Sequence, residues 1–189
     1  MKKLTSIIIL SFMMSSFNPL VEYKDEVESI ETVISPLQPP KSTPNTNLVK
    51  PKNLFLFLED MGFSESSNRY HIKNKFGYLG KYQFGIGTLR GLGYKISSKQ
   101  FLKNPQIQEE AMIKLLRHNQ EALKKYITKY QNKIVNGIFI TESGILAAAH
   151  LSGTRNVKRW FKGRQFKDGL GTSLSSYMSK FSNYDLKFL

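Results

Sequence analysis

The sequence predicts a mostly α-helical domain with a glycine-rich loop or small hairpin region set into it. Three observations carry this reading. Apolar residues recur at helical spacing in several segments, helix-capping residues stand at their starts, and no stretch keeps a sustained period-two alternation. The glycine-rich interruption holds Gly77, Gly80, Gly85, Gly87, Gly91 and Gly93, with Tyr78, Tyr82, Phe84 and Tyr94 among them.

The first helical run contains Leu54, Phe55, Phe57, Leu58 and Met61, and Gly62 is expected to end it. Asn104-Pro105 marks the next start, with Asn as the cap and Pro at the first helical position. Ile107, Ala111, Met112, Leu115, Leu116, Leu123, Tyr126 and Ile127 then give one apolar stripe, and charged residues fill the other face. Thr141 can cap a further helix, and Glu142 suits the positive end of its dipole. Residues 145–151 are apolar, and Ala147, Ala148 and Ala149 permit close approach of another backbone, so this helix is expected at the centre. A short helix is expected over residues 157–161, and Thr172 or Ser173 caps a last one running through Phe181. Trp160 is expected in the core.

The 189 residues suit one domain with appendages. Lys2 and Lys3 precede an apolar run over residues 4–14, which matches an export signal and is too short to span a bilayer comfortably. Residues 1–17 are therefore read as a signal peptide. Residues 18–50 carry Pro19, Pro36, Pro39, Pro40 and Pro44 and read as a Pro-rich disordered linker. Residues 51–189 form the folded part. The expected location is periplasmic or secreted, or tethered to the membrane through an uncleaved N-terminus.

The net charge is +14, and there are no cysteines. That composition excludes a disulfide scaffold, a thiolate metal site and a cysteine nucleophile. Before Leu48 there are four basic and five acidic residues; from Leu48 onward there are 24 and nine. The basic excess therefore belongs to the folded part and points to an anionic partner. No zinc-finger, aromatic RNA-binding or helix-turn-helix pattern is visible, so nucleic acid is not the expected one.

Glu65 follows the first apolar helix and precedes Ser66, Ser67 and Asn68. Taken alone it reads as a solvated glutamate in a polar turn. Backed by Phe55, Leu58 and Phe63, it would be partly desolvated, the environment that makes a carboxyl available as a general acid. Twelve residues on, Gly77-Tyr78-Leu79-Gly80-Lys81-Tyr82-Gln83-Phe84-Gly85 offers backbone that a ligand can approach, aromatic faces for sugar stacking and the amide of Gln83.

Glu65-Ser66 followed by Gly77-x-x-Gly80-x-x-Gln83 resembles the soluble lytic transglycosylase and goose-type lysozyme group. The segment from Ala147 to Trp160 resembles that group's L-A-A-Y-N-A-G-P-G-x-V-x-R-W motif, with Gly153, Val157, Arg159 and Trp160 in agreement. His150 falls where the group has Tyr and Leu151 where it has Asn, as in a distant branch. The resemblance implies a lysozyme-like fold with the glycine-rich region beside the catalytic helix. It implies cleavage of the MurNAc-β-1,4-GlcNAc bond with 1,6-anhydro-MurNAc ends and Glu65 as acid and then base. It further implies Gln83, Tyr82 and Tyr78 as groove residues; Ser66, Phe84 and His150, the last without a counterpart in the group, complete the candidate substrate contacts.

His150 has two readings, as a core histidine or as a groove residue that binds an N-acetyl group or holds Glu65. A hydrolytic muramidase on the same fold would need a second carboxylate. Asp168 is the candidate for it, against its reading as a turn former; Glu59, Asp60 and Glu142 are weaker ones. A non-catalytic peptidoglycan-binding protein is the rival of another class. Peptidoglycan glycan strands are the expected partner, with peripheral association with wall or membrane, a monomeric state, no cofactor and no metal. Tyr126, Tyr130 and Tyr177 read as core or surface residues rather than substrate platforms.

Overall fold

The computed structural model describes residues 51–187; the expected signal peptide and linker lie outside the described residues. In chain order the elements are α1 (Leu54–Ser66), α2 (Ile86–Gly91), α3 (Ser98–Leu102), α4 (Pro105–Tyr130), β1 (Ile134–Val135), β2 (Ile138–Phe139), α5 (Glu142–Ser152), α6 (Thr154–Trp160) and α7 (Leu174–Lys180). The described residues are mostly helical, with one small two-stranded antiparallel sheet.

Local chemistry accounts for most boundaries. Side-chain oxygens of Asn53, Ser97, Asn104, Thr141 and Ser173 each accept a backbone N–H in the first turn of their helices. Pro105 opens the 26-residue α4, where a missing N–H costs nothing. Asn136 and Gly137, both at positive φ, form the turn between β1 and β2. That dipeptide is the sequence signal for the hairpin, whose two-residue strands are too short to show alternation.

The centre is α5. It packs against α4, α6 and α7, and every residue from Ser143 to Ala149 is buried. A helix apolar on all sides must be enclosed, and each large aliphatic side chain buried there contributes roughly 1.5–3 kcal/mol. The closest backbone approach falls at Gly144, where a Cβ would lie 2.6 Å from the carbonyl oxygen of Met178 on α7. Trp160 is fully buried and donates from Nε1 to Ser175 Oγ at 2.9 Å, tying α6 to α7.

Gly62 does not end α1, which continues four residues to Ser66. The glycine serves packing instead. A Cβ there would lie 2.3 Å from Asn68 Oδ1 and 2.6 Å from Lys81 Cε. The helix stops at Ser67, in the left-handed region, whose N–H donates to the Phe63 carbonyl while that of Asn68 reaches back to Gly62. Glu65 therefore sits in the last turn of a helix and not in a turn after it.

Lys81 is the cross-link between α1 and α4. Its buried ammonium donates to Glu59 of α1 at 2.6 Å and to Glu109 of α4 at 3.0 Å. Burial alone would lower its pKa, but the bonds to the two carboxylates outweigh it and hold the pKa above the ordinary 10.5. Burial, reinforced by Glu109, pushes Tyr82 above its ordinary 10.0. Burial, reinforced by Glu65, does the same for Tyr177.

These three groups keep protons in the fold that the unfolded chain releases at about pH 10 to 10.5. Their stabilisation is complete below that pH and is lost as pH rises beyond it. The urea midpoint should therefore fall between pH 9.5 and 11.5, and fall less steeply in Lys81→Met than in the native chain. A midpoint that stays level across that range would contradict the assignment.

Candidate active site

A cleft of about 510 Å³ opens beside the end of α1, within the roughly 300–1,000 Å³ usual for small-molecule sites. Its wall joins the end of α1 (Ser64, Glu65), the glycine-rich segment (Asn74, Phe76, Tyr78, Gln83), the end of α5 (His150, Leu151), the 168–172 loop and α7 (Ser176, Tyr177, Lys180). Parts of the chain more than a hundred residues apart thus converge on one carboxylate.

Glu65 is largely enclosed, with 18% of its side chain exposed. Its Oε1 accepts a hydrogen bond from the buried Tyr177 hydroxyl on α7. His150 Nε2 lies 3.9 Å from the same oxygen and 3.0 Å from the carbonyl oxygen of Tyr82. A carbonyl can only accept, so Nε2 carries the proton in this contact. Nδ1 is buried without a hydrogen-bond partner among the described residues. Glu65 Oε2 has no hydrogen bond among the described residues. One carboxylate oxygen is fixed and the other is available to a ligand.

The glycine-rich segment forms no regular hairpin. Isolated antiparallel bridges pair Leu79 with Lys73 and with Phe84. The turn between Leu79 and Phe84 is closed by Gln83, at φ +51, whose Nε2 donates to the Gly80 carbonyl at 2.8 Å. Gly80 is at φ +70, and a Cβ there would lie 2.0 Å from Gln108 Oε1. This folding divides the expected contact residues. Tyr78 and Gln83 face the cleft.

Ser66, Tyr82 and Phe84 do not line it, contrary to expectation. Ser66 is buried, and its hydroxyl donates to the Lys81 carbonyl at 2.8 Å. Tyr82 is fully buried and donates to Glu109 Oε2 at 2.5 Å. Phe84 is buried edge-on against Tyr82, Phe101 and His150. The bridge that turns Phe84 inward leaves neither ring a free face for a sugar.

Other expectations also shift. Phe55 and Phe63 are exposed, so the enclosure of Glu65 comes from Tyr177 and His150. Asp168 does reach the cleft wall, but its Oδ1 accepts from the backbone N–H groups of Leu170 at 2.9 Å and Thr172 at 2.7 Å. It thus shapes the 168–172 turn while standing in the cleft. Glu59 is bound to Lys81, Asp60 to Lys52 and Tyr184, and Glu142 to Gln120. Tyr126 and Tyr130 lie partly buried against Phe161, apart from the cleft.

Sequence reasoning missed Phe76, Tyr177, Leu170 and Lys180. Phe76 is 55% exposed at the rim, where Asn74 Oδ1 holds its N–H and that of Tyr78. Its place before Gly77-Tyr78 was the available signal. Leu170 is 73% exposed on the 168–172 loop. Lys180 Nζ donates to Ser64 Oγ at 2.7 Å. Tyr177 lies 112 residues from Glu65, and no local pattern announces that pairing.

The chain matches no family model, no curated protein and no solved structure.

A hydrogen bond to a carboxylate inside such a wall stabilises by roughly 1.5–3 kcal/mol. A double-mutant cycle of Tyr177→Phe and Glu65→Gln, followed by urea unfolding, should return a coupling of about that size. A coupling below about 0.3 kcal/mol would mean that the contact does not hold the two helices together.

Proposed function

We propose that this chain is a peptidoglycan-cleaving lytic transglycosylase of lysozyme-like fold, exported to act on wall glycan strands. The observation that carries the reading is the enclosed carboxylate of Glu65, fixed through one oxygen and open through the other, in a cleft with an aromatic rim. The resemblance of Glu65-Ser66, Gly77-x-x-Gly80-x-x-Gln83 and the Ala147–Trp160 segment to that group supports it.

In this reading Oε2 of protonated Glu65 donates to the glycosidic oxygen between MurNAc and GlcNAc. The C1–O bond breaks, GlcNAc leaves with the proton, and positive charge develops on the muramyl ring. The Glu65 carboxylate then takes the proton of the muramyl C6 hydroxyl. Its oxygen closes on C1, giving a 1,6-anhydro ring with no water consumed. Tyr177 holds the carboxyl through both steps. His150 supports the Tyr82 carbonyl, and so the bridged turn that presents Gln83 and Tyr78. The exposed rings of Tyr78 and Phe76 provide stacking faces for the glycan.

One observation favours a hydrolytic muramidase as the second reading: Asp168 lines the same cleft. Its Oδ1 is tied to backbone, which supports the single-carboxylate course.

Purified peptidoglycan digested with the full chain should yield muropeptides with anhydro ends, one water lighter than reducing ends by mass spectrometry. Reducing ends would establish the hydrolase, and intact sacculi with bound protein would establish a binder. Glu65→Gln should lower release by about 10²–10⁴-fold with an unchanged circular dichroism spectrum. A variant that kept its activity would remove Glu65 from the mechanism.

A further inference from the structure

We infer that the β1–β2 hairpin, together with the cationic ends of α4 and α6, docks on an anionic lipid bilayer. The hairpin has two unlike faces. Val135 and Ile138 pair across the strands and pack against the core. Ile134 and Phe139 also pair directly, and they are 74% and 53% exposed. The tight Asn136-Gly137 turn thus holds an aliphatic and an aromatic side chain side by side in solvent.

The surroundings are cationic. Between Ala122 and Lys167 there are ten Lys and Arg and one acid, Glu142. Among the described residues only Lys124 of these ten has a carboxylate partner. The ring of Tyr130, at the end of α4, stacks on that of Phe161, just past α6, at 4.5 Å and 10°. That stack joins the end of α4, where Lys133 Nζ donates to the Lys129 carbonyl at 2.7 Å, to the residue that precedes Lys162. Lys133 leads directly into β1.

Charge alone fits any polyanion; a single-stranded nucleic acid stacks bases on an exposed ring but has no apolar phase to receive Ile134. A bilayer takes both, placing the apolar pair at the headgroup–acyl boundary and the ammonium groups among the phosphates. A second copy of the chain would set two cation-rich faces against each other. This surface is separate from the cleft wall, so it stands or falls independently of the glycan chemistry.

The absence of cysteine allows a single label. Full-length Ile134→Cys carrying a polarity-sensitive fluorophore should shift to the blue and resist iodide quenching on phosphatidylglycerol vesicles. It should not do so on phosphatidylcholine vesicles, and a label at Lys99→Cys on α3 should stay accessible on both. Lys129→Gln with Lys162→Gln should weaken partitioning roughly 25-fold, about fivefold per cation. Several results would overturn the inference. The label could stay exposed while the protein sediments with vesicles, placing binding elsewhere in the chain. It could respond equally to both lipids, respond to a single-stranded oligonucleotide without lipid, or shift with protein concentration alone.

Discussion

The position of Glu65 depends on how Lys81 is satisfied. Its ammonium is buried between a carboxylate of α1 and one of α4, its carbonyl accepts the Ser66 hydroxyl, and its N–H donates to Gln108. Backbone and side chain of one residue therefore join three separate parts of the chain. A buried ammonium without such partners would be expelled or neutralised, so the three parts are held together as a condition of burying it. Gly62 and Gly80 are the spaces that arrangement requires: a side chain at either would collide with Lys81 or with Gln108.

The cleft follows from that cross-link. With Lys81 and Tyr82 drawn inward, Gln83 takes a left-handed conformation, and its amide closes the turn. The Tyr82 carbonyl is left pointing at His150, whose other nitrogen is buried without a hydrogen-bond partner among the described residues. From the opposite side α7 is pressed onto α5 at Gly144, and that approach delivers Tyr177 to Glu65. Core packing and site geometry are here one set of contacts. Most of the basic excess lies outside that geometry: α4, α6 and residues 161–167 together hold eleven basic residues against three acids.

Much of the architecture was legible because it is written locally. The caps at Asn104, Thr141 and Ser173 and the alanine run of α5 each lie within a few residues of what they determine. Gly62 misled because a glycine inside a helix and one at its end look alike in sequence; only Lys81, nineteen positions on, explains it. In the site, Glu65, Gln83, Tyr78 and His150, all of which line the cleft, were named through the family resemblance. Ser66, Tyr82 and Phe84 could not be sorted from them, because one bridged turn decides which side chains face outward. Tyr177 was invisible for a different reason, since its role exists only once α7 has packed on α5.

The central claim is that the open oxygen of Glu65 meets a glycosidic bond. The most direct measurement is a crystal structure of Glu65→Gln with a MurNAc–GlcNAc oligomer. The account predicts a glycosidic oxygen within hydrogen-bond distance of residue 65, on the side away from Tyr177, with sugar rings against Tyr78 and Phe76. An oligomer bound outside this cleft, or one whose scissile linkage lies beyond reach of residue 65, would contradict it.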